Sequence, residues 1–345
     1  MSGTFRFSFG PWNIHEGADP FGPPVRPSVA WADKLALYKK LGFDGVQFHD
    51  DDAVPDVDAL SAAEVESAAL QMRRMLGDEG LVAEFVAPRL WEDPRTIDGG
   101  FTSNNPDERR YAIERSLRAV DIANVLGCNK YVLWLAREGT YIREAKDARV
   151  AVERLVEAIN QLLAHDPNIR VLVEPKPNEP MDQAYIPTAG HAAGLSYLTD
   201  DPQRVGVLIE TAHAILAGLD PSDEMGYALA HGKLWSVHLN DQNGLKFDED
   251  KAFGAVDLRR AFMQVWTLDR NDYGSDGEFV GLDVKALRTQ PAEMATQHLS
   301  NSREIFLALL DVVRALDTNR IETLIDARDY ETLEMVIIRA LMGRT

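Results

Sequence analysis

Arg170-Val171-Leu172-Val173-Glu174 sets three aliphatic residues, two of them β-branched, in front of a carboxylate, and Val205-Gly206-Val207-Leu208-Ile209-Glu210 repeats that design further along the chain. Such runs read as short, fully buried strands. A carboxylate at the end of a buried strand is costly unless something cationic meets it. The two glutamates therefore raise one question: what lies between them.

Working outward from these runs, the same pattern extends over the chain. Candidate strands are Phe5–Trp12, Gly45–His49, Leu81–Ala87, Lys130–Trp134, Arg170–Glu174, Val205–Glu210, Leu234–Leu239 and Phe279–Lys285. Amphipathic stretches alternate with them near Trp31–Leu41, Ala62–Gly80, Asp107–Leu126, Ala145–His165, Thr188–Leu198, Met225–His231, Asp257–Arg270 and Glu293–Leu316. Strand followed by helix, repeated, is the signature of parallel βα units. Closure into a (β/α)8 TIM barrel leaves no unpaired edge. A doubly wound open sheet is the rival, but no Gly-x-Gly-x-x-Gly turn follows the first strand. The expected organisation is an α/β barrel over residues 1–316 and a short helical tail over 317–345, packed outside the barrel or on a partner subunit. The loops Asn13–Val29 and Glu92–Pro106 are long enough to cover the barrel mouth.

Bulk properties agree with a large soluble domain. The chain has 345 residues, 45% of them apolar, and a formal net charge of −19, with a pI of about 4.8. That field repels polyphosphate, which excludes nucleic acid and anionic membrane surfaces as natural partners. It suits solubility, and equally a site that gathers cations. The single cysteine, Cys128, rules out an intrachain disulfide framework and reads as a buried, inert thiol. Met1–Phe9 has no signal-peptide character and no apolar run reaches membrane-spanning length, so the cytoplasm is the expected compartment.

In such barrels chemistry sits at the carboxyl ends of the strands. There the sequence places His49, Trp134, Glu174, Glu210, His238 and Asp283, with Trp12 closing the first candidate strand. Glu174, Glu210, His238 and Asp283 would converge from four successive strands. Carboxylates with an imidazole suit Mg²⁺, Mn²⁺ or Co²⁺ better than a thiolate-seeking ion. Glu210 and His213, three apart, together with Asp248 and Asp250 after the seventh strand, could hold a second cation. Taken alone, Asp248-x-Asp250 would be an ordinary solvated acidic loop; its place at the barrel mouth makes it a candidate. His15, His165, His191, His231 and His298 read as structural or solvated.

At these residues the chain resembles a D-xylose isomerase, in Phe48-His49-Asp50-Asp51-Asp52, Gly99-Gly100-Phe101-Thr102, Glu174-Pro175-Lys176-Pro177-Asn178-Glu179-Pro180, and His238-Leu239-Asn240-Asp241-Gln242-Asn243-Gly244 running on to Asp250. The resemblance implies two divalent cations, a carbohydrate substrate and a metal-assisted hydride shift between aldose and ketose. It implies that His49, oriented by Asp52, promotes ring opening, and that Lys176 donates to the substrate carbonyl oxygen. Glu174, Glu210, Asp283 and the residue at 238 would hold one cation; Glu210, His213, Asp248 and Asp250 would hold the other. Trp134 would wall the pocket. Phe21, in Asp19-Pro20-Phe21-Gly22, would reach a neighbouring subunit's site, making the active unit a homodimer or homotetramer. Lys285 and Arg288 resemble family residues near the metal loop.

The pattern also departs from that family. His238 stands where the isomerase pattern has Asp, which removes a charge from the first site and favours Mn²⁺ or Co²⁺. The resulting Glu-Glu-His-Asp set resembles that of ketose 3-epimerases, which use enediolates and carboxylate acid–base pairs. Ala87-Pro88-Arg89-Leu90-Trp91 replaces the family's Thr-Thr-Asn-Leu-Phe, so that sugar-binding hydroxyls give way to the cation Arg89 and the larger wall Trp91. Leu135-Ala136 replaces a Gly-Gly pair. The substrate expected is a sugar other than xylose, and the expected activity is aldose–ketose isomerisation. The alternatives are an epimerase or lyase on an oxidised sugar or glycoside, and a catalytically silent sugar-binding barrel.

Overall fold

A computed structural model describes residues 4–19 and 21–344. Pro20, in the segment quoted above, lies outside the described residues, as do Met1–Gly3 and Thr345 at the ends of the two expected segments. Eight parallel strands, β1 Arg6–Phe9, β2 Gly45–His49, β3 Val82–Ala87, β4 Lys130–Trp134, β5 Arg170–Glu174, β6 Val205–Glu210, β7 Leu234–Leu239 and β8 Phe279–Leu282, pair each with the next. The barrel closes where Arg6 to Phe9 of β1 pair with Phe279 to Leu282 of β8.

Between the strands run α1 Trp31–Leu41, α2 Ala62–Asp78, α3 Pro106–Leu126, α4 Ala148–His165, α5 Ala189–Ser196, α6 Pro221–Ala230, α7 Leu258–Arg270 and α8 Gln297–Ala315. Their boundaries follow local chemistry. Ser61 and Glu64 form a reciprocal capping box at the start of α2, and Asn105 caps α3 with Pro106 in its first turn. Two further helices, α9 Thr318–Asp326 and α10 Tyr330–Leu341, follow Leu316. They bury Ile321 and Ile337 and tie Glu334 to Arg259 of α7 at 2.7 Å. No helix among the described residues is long and apolar enough to cross a membrane.

Two strands are shorter than their apolar runs. The first stops at Phe9, because Pro11 has no N–H to continue a ladder, and Pro11–Asn13 turns as a 3-10 helix. The last stops at Leu282, so Asp283 stands one residue past the strand end.

Side chains alternate between barrel interior and helix layer. Phe85, Val132, Leu172, Leu208 and Trp235 form an apolar floor with Ala87. Two residues beyond Val132, Leu172 and Leu208, the same period turns Trp134, Glu174 and Glu210 into the mouth. Pairing register sets these at one height: Trp134 is opposite Glu174, and Glu210 opposite His238. A register shift pairs Gln47 with Phe85 and skips Glu84. Glu84 then sits in a buried polar knot, accepting from Ser236 at 2.8 Å, from Gln47 at 3.2 Å and from Ser8.

Candidate active site

The carboxyl-terminal mouth encloses a cavity of about 630 Å³. Its polar centre is the converging set expected from the strand ends. Ligand atoms of Glu174, Glu210 and His213 lie within 4.8 Å of one another, as do those of Glu210, His238 and Asp283, and those of Glu210, Asp248 and Asp250. Glu210 belongs to all three groups. His213, on the helical turn Thr211–Leu216, places Nε2 3.2 Å from Glu210 and 3.1 Å from Asp248. His238 Nδ1 lies 3.5 Å from Glu174 and 3.6 Å from Glu210. Gly281 on the paired strand has no room for a side chain, since a Cβ there would run into the Gln47 amide and the Val237 carbonyl oxygen and press on His238 Cδ2 at 3.3 Å.

Hydrogen bonding within the chain leaves this cluster short of partners. Both nitrogens of His238, Nδ1 of His213 and Oδ1 of Asp248 are buried without one among the described residues. Buried polar atoms are ordinarily satisfied. Four orphans around one shared glutamate fit ligands aimed at cations, and oxygens mixed with imidazoles fit Mn²⁺, Co²⁺ or Mg²⁺.

The electrostatics express the same demand. Burial and then the charge of Asp248 hold the Glu210 carboxyl well above the usual carboxylate range, against the pull of His213. Burial and Asp248 do the same to Asp250. Burial opposes the Glu174 charge too, yet His238 and His213 carry that carboxyl down to about 2. Asp248 is drawn well below its ordinary value despite burial, chiefly by Lys176. Burial disfavours a charged imidazole, but Glu174 raises His238 well above the usual histidine value.

Lys176 donates to Asp248 at 2.9 Å, lies 3.3 Å from Glu179 and sits 5.2 Å from the centre of the Trp134 ring. Burial works against its charge, but Asp248 and Glu179 raise its pKa, so it remains an ammonium donor. Asn240 spreads its amide hydrogens over Glu210 at 3.0 Å, Asp250 at 3.2 Å and the Asp283 carbonyl at 3.0 Å. Lys285 bonds Asp250 and lines the cavity.

The opposite wall is aromatic. His49 lies between Trp12, with ring centres 4.1 Å apart, and the edge of Trp91, which meets Trp134 at 4.5 Å. Asp52 stands behind His49, outside the lining, with Oδ2 3.0 Å from Nδ1. Arg89 lines the cavity, but its guanidinium is engaged with Asp51 at 2.8 Å, Asp52 at 3.2 Å and His49 Nδ1 at 2.8 Å. The cation expected in the pocket is therefore already held by the chain.

Phe21 is outside the chain's own cavity. It is 81% exposed and packs against Phe247. Arg288 braces the long first loop through the carbonyls of Gly17 and Pro23 and does not line the cavity. His15, read from the sequence as structural or solvated, is at the cavity rim. Asn240 lay in a quoted motif without a role. Its partners come from the end of β6, the loop after β7 and the residue past β8, and that convergence is not written in the spacing.

Fold and cluster together define an α/β barrel whose carboxyl-terminal mouth carries buried carboxylates and imidazoles that could hold a cation. Residues 35–278, most of the chain, match the family described as Xylose isomerase-like TIM barrel, and the chain belongs to that family. Solved structures share the architecture at low identity. A D-tagatose 3-epimerase-like protein is 14% identical with a TM-score of 0.64, over 90% of this chain and 98% of its own. A 3-keto-D-glucoside 4-epimerase from E. coli is 16% identical with a TM-score of 0.60, over 87% and 100%. A D-psicose 3-epimerase from Clostridium cellulolyticum H10 is 14% identical with a TM-score of 0.61, over 89% and 99%.

Proposed function

We propose that this protein is a divalent-cation-dependent enzyme that rearranges a ketone-bearing sugar, with epimerisation through an enediolate as the leading reading. The observation that carries it is the convergence of Glu174, Glu210, His238 and Asp283, with neither His238 nitrogen in a hydrogen bond among the described residues. Epimerases among the proteins of similar fold support the same reading, and so does the absence of small hydroxyls beside Arg89 and Trp91. Cations held by Glu174, Glu210, His238 and Asp283 would polarise a carbonyl and its neighbouring hydroxyl and so acidify the carbon that bears that hydroxyl. Glu174 from β5 and Asp283 from beyond β8 flank Glu210 and His238 in strand order. They are the carboxylates that take a proton from carbon on one face and return it on the other. Lys176 steadies negative charge as it grows on a substrate oxygen, while Trp12, Trp91 and Trp134 hold the sugar ring and keep water out.

A second reading, aldose–ketose isomerisation by hydride shift, is favoured by the additional Glu210–His213–Asp248–Asp250 set and by Lys176. Proton magnetic resonance in D₂O separates the two. Enediolate chemistry exchanges the migrating hydrogen for deuterium; a hydride shift retains it. A cation-supplemented screen of ketoses, aldoses and 3-keto-glycosides with product identification is the first experiment, and no turnover on the whole panel would sink both readings. The exposure of Phe21 supports an active unit of at least two chains, which analytical ultracentrifugation checks.

A further inference from the structure

Two groups compete for one nitrogen of His49. Asp52 Oδ2 lies 3.0 Å from Nδ1, as a histidine–aspartate pair would require. Arg89, from the loop after β3, places a guanidinium nitrogen 2.8 Å from the same atom. An imidazole nitrogen either carries a hydrogen or offers a lone pair in its plane, never both. A guanidinium has donors alone and stays charged. The Arg89 contact therefore requires a lone pair on Nδ1; a hydrogen there would meet an Arg89 N–H head on, and an imidazolium would face a guanidinium.

The Asp52 position has a separate cause. Its Oδ2 also accepts the backbone N–H of His49 at 3.2 Å, which holds the carboxylate at the start of the helical turn Asp50–Ala53. Its Oδ1 accepts from the same Arg89 nitrogen at 3.2 Å. Asp52 thus holds Arg89, and Arg89 holds the imidazole.

We infer that Arg89 fixes His49 as the neutral tautomer with its hydrogen on Nε2, so that His49 presents a donor to the substrate rather than a base. Arg89 is a positioning residue in this arrangement. Nε2 has no partner among the described residues, and the ring lines the cavity between Trp12 and Trp91. With Nε2 already protonated and Nδ1 occupied, His49 has no site for a proton taken from a sugar hydroxyl. It recognises an acceptor, such as a ketone oxygen. This inference rests on the reading of the cavity as the sugar site and narrows its substrates to those that arrive with the carbonyl already free.

The test is the tautomer itself, read without substrate, so that its failure and a failure to find turnover stay separate. The full-length protein, labelled with ¹⁵N-histidine and loaded with Mg²⁺, gives two-bond ¹H–¹⁵N spectra of its eight histidines, and His49→Asn assigns the resonance. The expected result is a protonated Nε2 with an unprotonated Nδ1, inverted in Arg89→Met, where Asp52 becomes the nearest partner. A wild-type His49 that carries hydrogen on Nδ1, or on both nitrogens, overturns the inference whether or not the Met variant folds. An unchanged tautomer in a folded Arg89→Met protein overturns it as well.

Discussion

The indole Nε1 of Trp12 donates to Asp283 Oδ1 at 2.9 Å, joining the exit of the first strand to the exit of the last. The bond closes the barrel at the level of the cluster and fixes one oxygen of a candidate ligand. The indole lies so close over Gly10 that a Cβ there would be 2.1 Å from its ring carbons. Trp12→Phe and Gly10→Ala should therefore fail in the same way. A hydrogen bond to a charged group contributes roughly 1.5–3 kcal/mol, so kcat/KM should fall about tenfold or more in each. A Gly10→Ala protein with wild-type activity would show that the indole is not held there.

Glu210 is common to every candidate ligand group, whereas Asp250 belongs to one. Elemental analysis of the purified protein should give two divalent ions per chain. Glu210→Gln should lose both and Asp250→Asn should lose one. Equal losses in the two variants would mean that Glu210 is not shared.

Asn240 is the neutral donor that lets Glu210 and Asp250 lie near each other, since each takes a hydrogen from the same amide. Its own carbonyl accepts the Ala212 N–H at 2.8 Å, which fixes the amide's direction. Groups that orient ligands in this way commonly tune cation affinity by about 10–100-fold. Asn240→Leu should weaken Mn²⁺ binding by that order in titration calorimetry, and Asn240→Asp should not rescue it, because a carboxylate has no hydrogen to give. Unchanged affinity in the leucine variant would reduce Asn240 to packing.

At position 238 the chain offers an imidazole between two carboxylates. An imidazole suits Mn²⁺ or Co²⁺, whereas Mg²⁺ favours oxygen. Calorimetric affinities should rank Mn²⁺ and Co²⁺ above Mg²⁺ in the wild type, and His238→Asp should narrow the gap. A wild-type preference for Mg²⁺ would contradict the role given to the ring.

What the sequence made legible was whatever depends on neighbours in the chain. β-Branched runs with a terminal carboxylate put Glu174 and Glu210 at strand ends, where β5 and β6 do stop, and period two carries each inward with the floor residue two before it. Cys128 is buried as expected, and burial pushes its thiol up to about 12. What escaped was set by register and by loops meeting across the mouth. The skipped Glu84 follows from a pairing shift. Arg89 reads as a free cation until the turn Asp50–Ala53 brings Asp51 and Asp52 to it. Phe5–Trp12 looks like one long strand until the missing N–H of Pro11 ends the ladder.

His298, read from the sequence as structural or solvated, supplies a pH test on a ring outside the ligand cluster. Its Nε2 bonds the Asn13 carbonyl at 2.8 Å, and its Nδ1 is buried without a partner. Burial, aided by Arg26 and His15, lowers its pKa from 6.5 to about 4. The folded chain thus keeps this ring neutral in a range where the unfolded chain protonates it. Its neutral form contributes stability that is complete above pH 6.5 and is lost as pH falls toward 4. At about 1.4 kcal/mol per pKa unit the loss is roughly 3 kcal/mol. Denaturant unfolding of His298→Gln and wild type, compared pH by pH, removes the contribution of carboxylates common to both. The wild type should lose about one proton's worth of slope more than the variant between pH 6.5 and 4. Parallel curves would mean that the ring reaches solvent and can be charged without loss of stability.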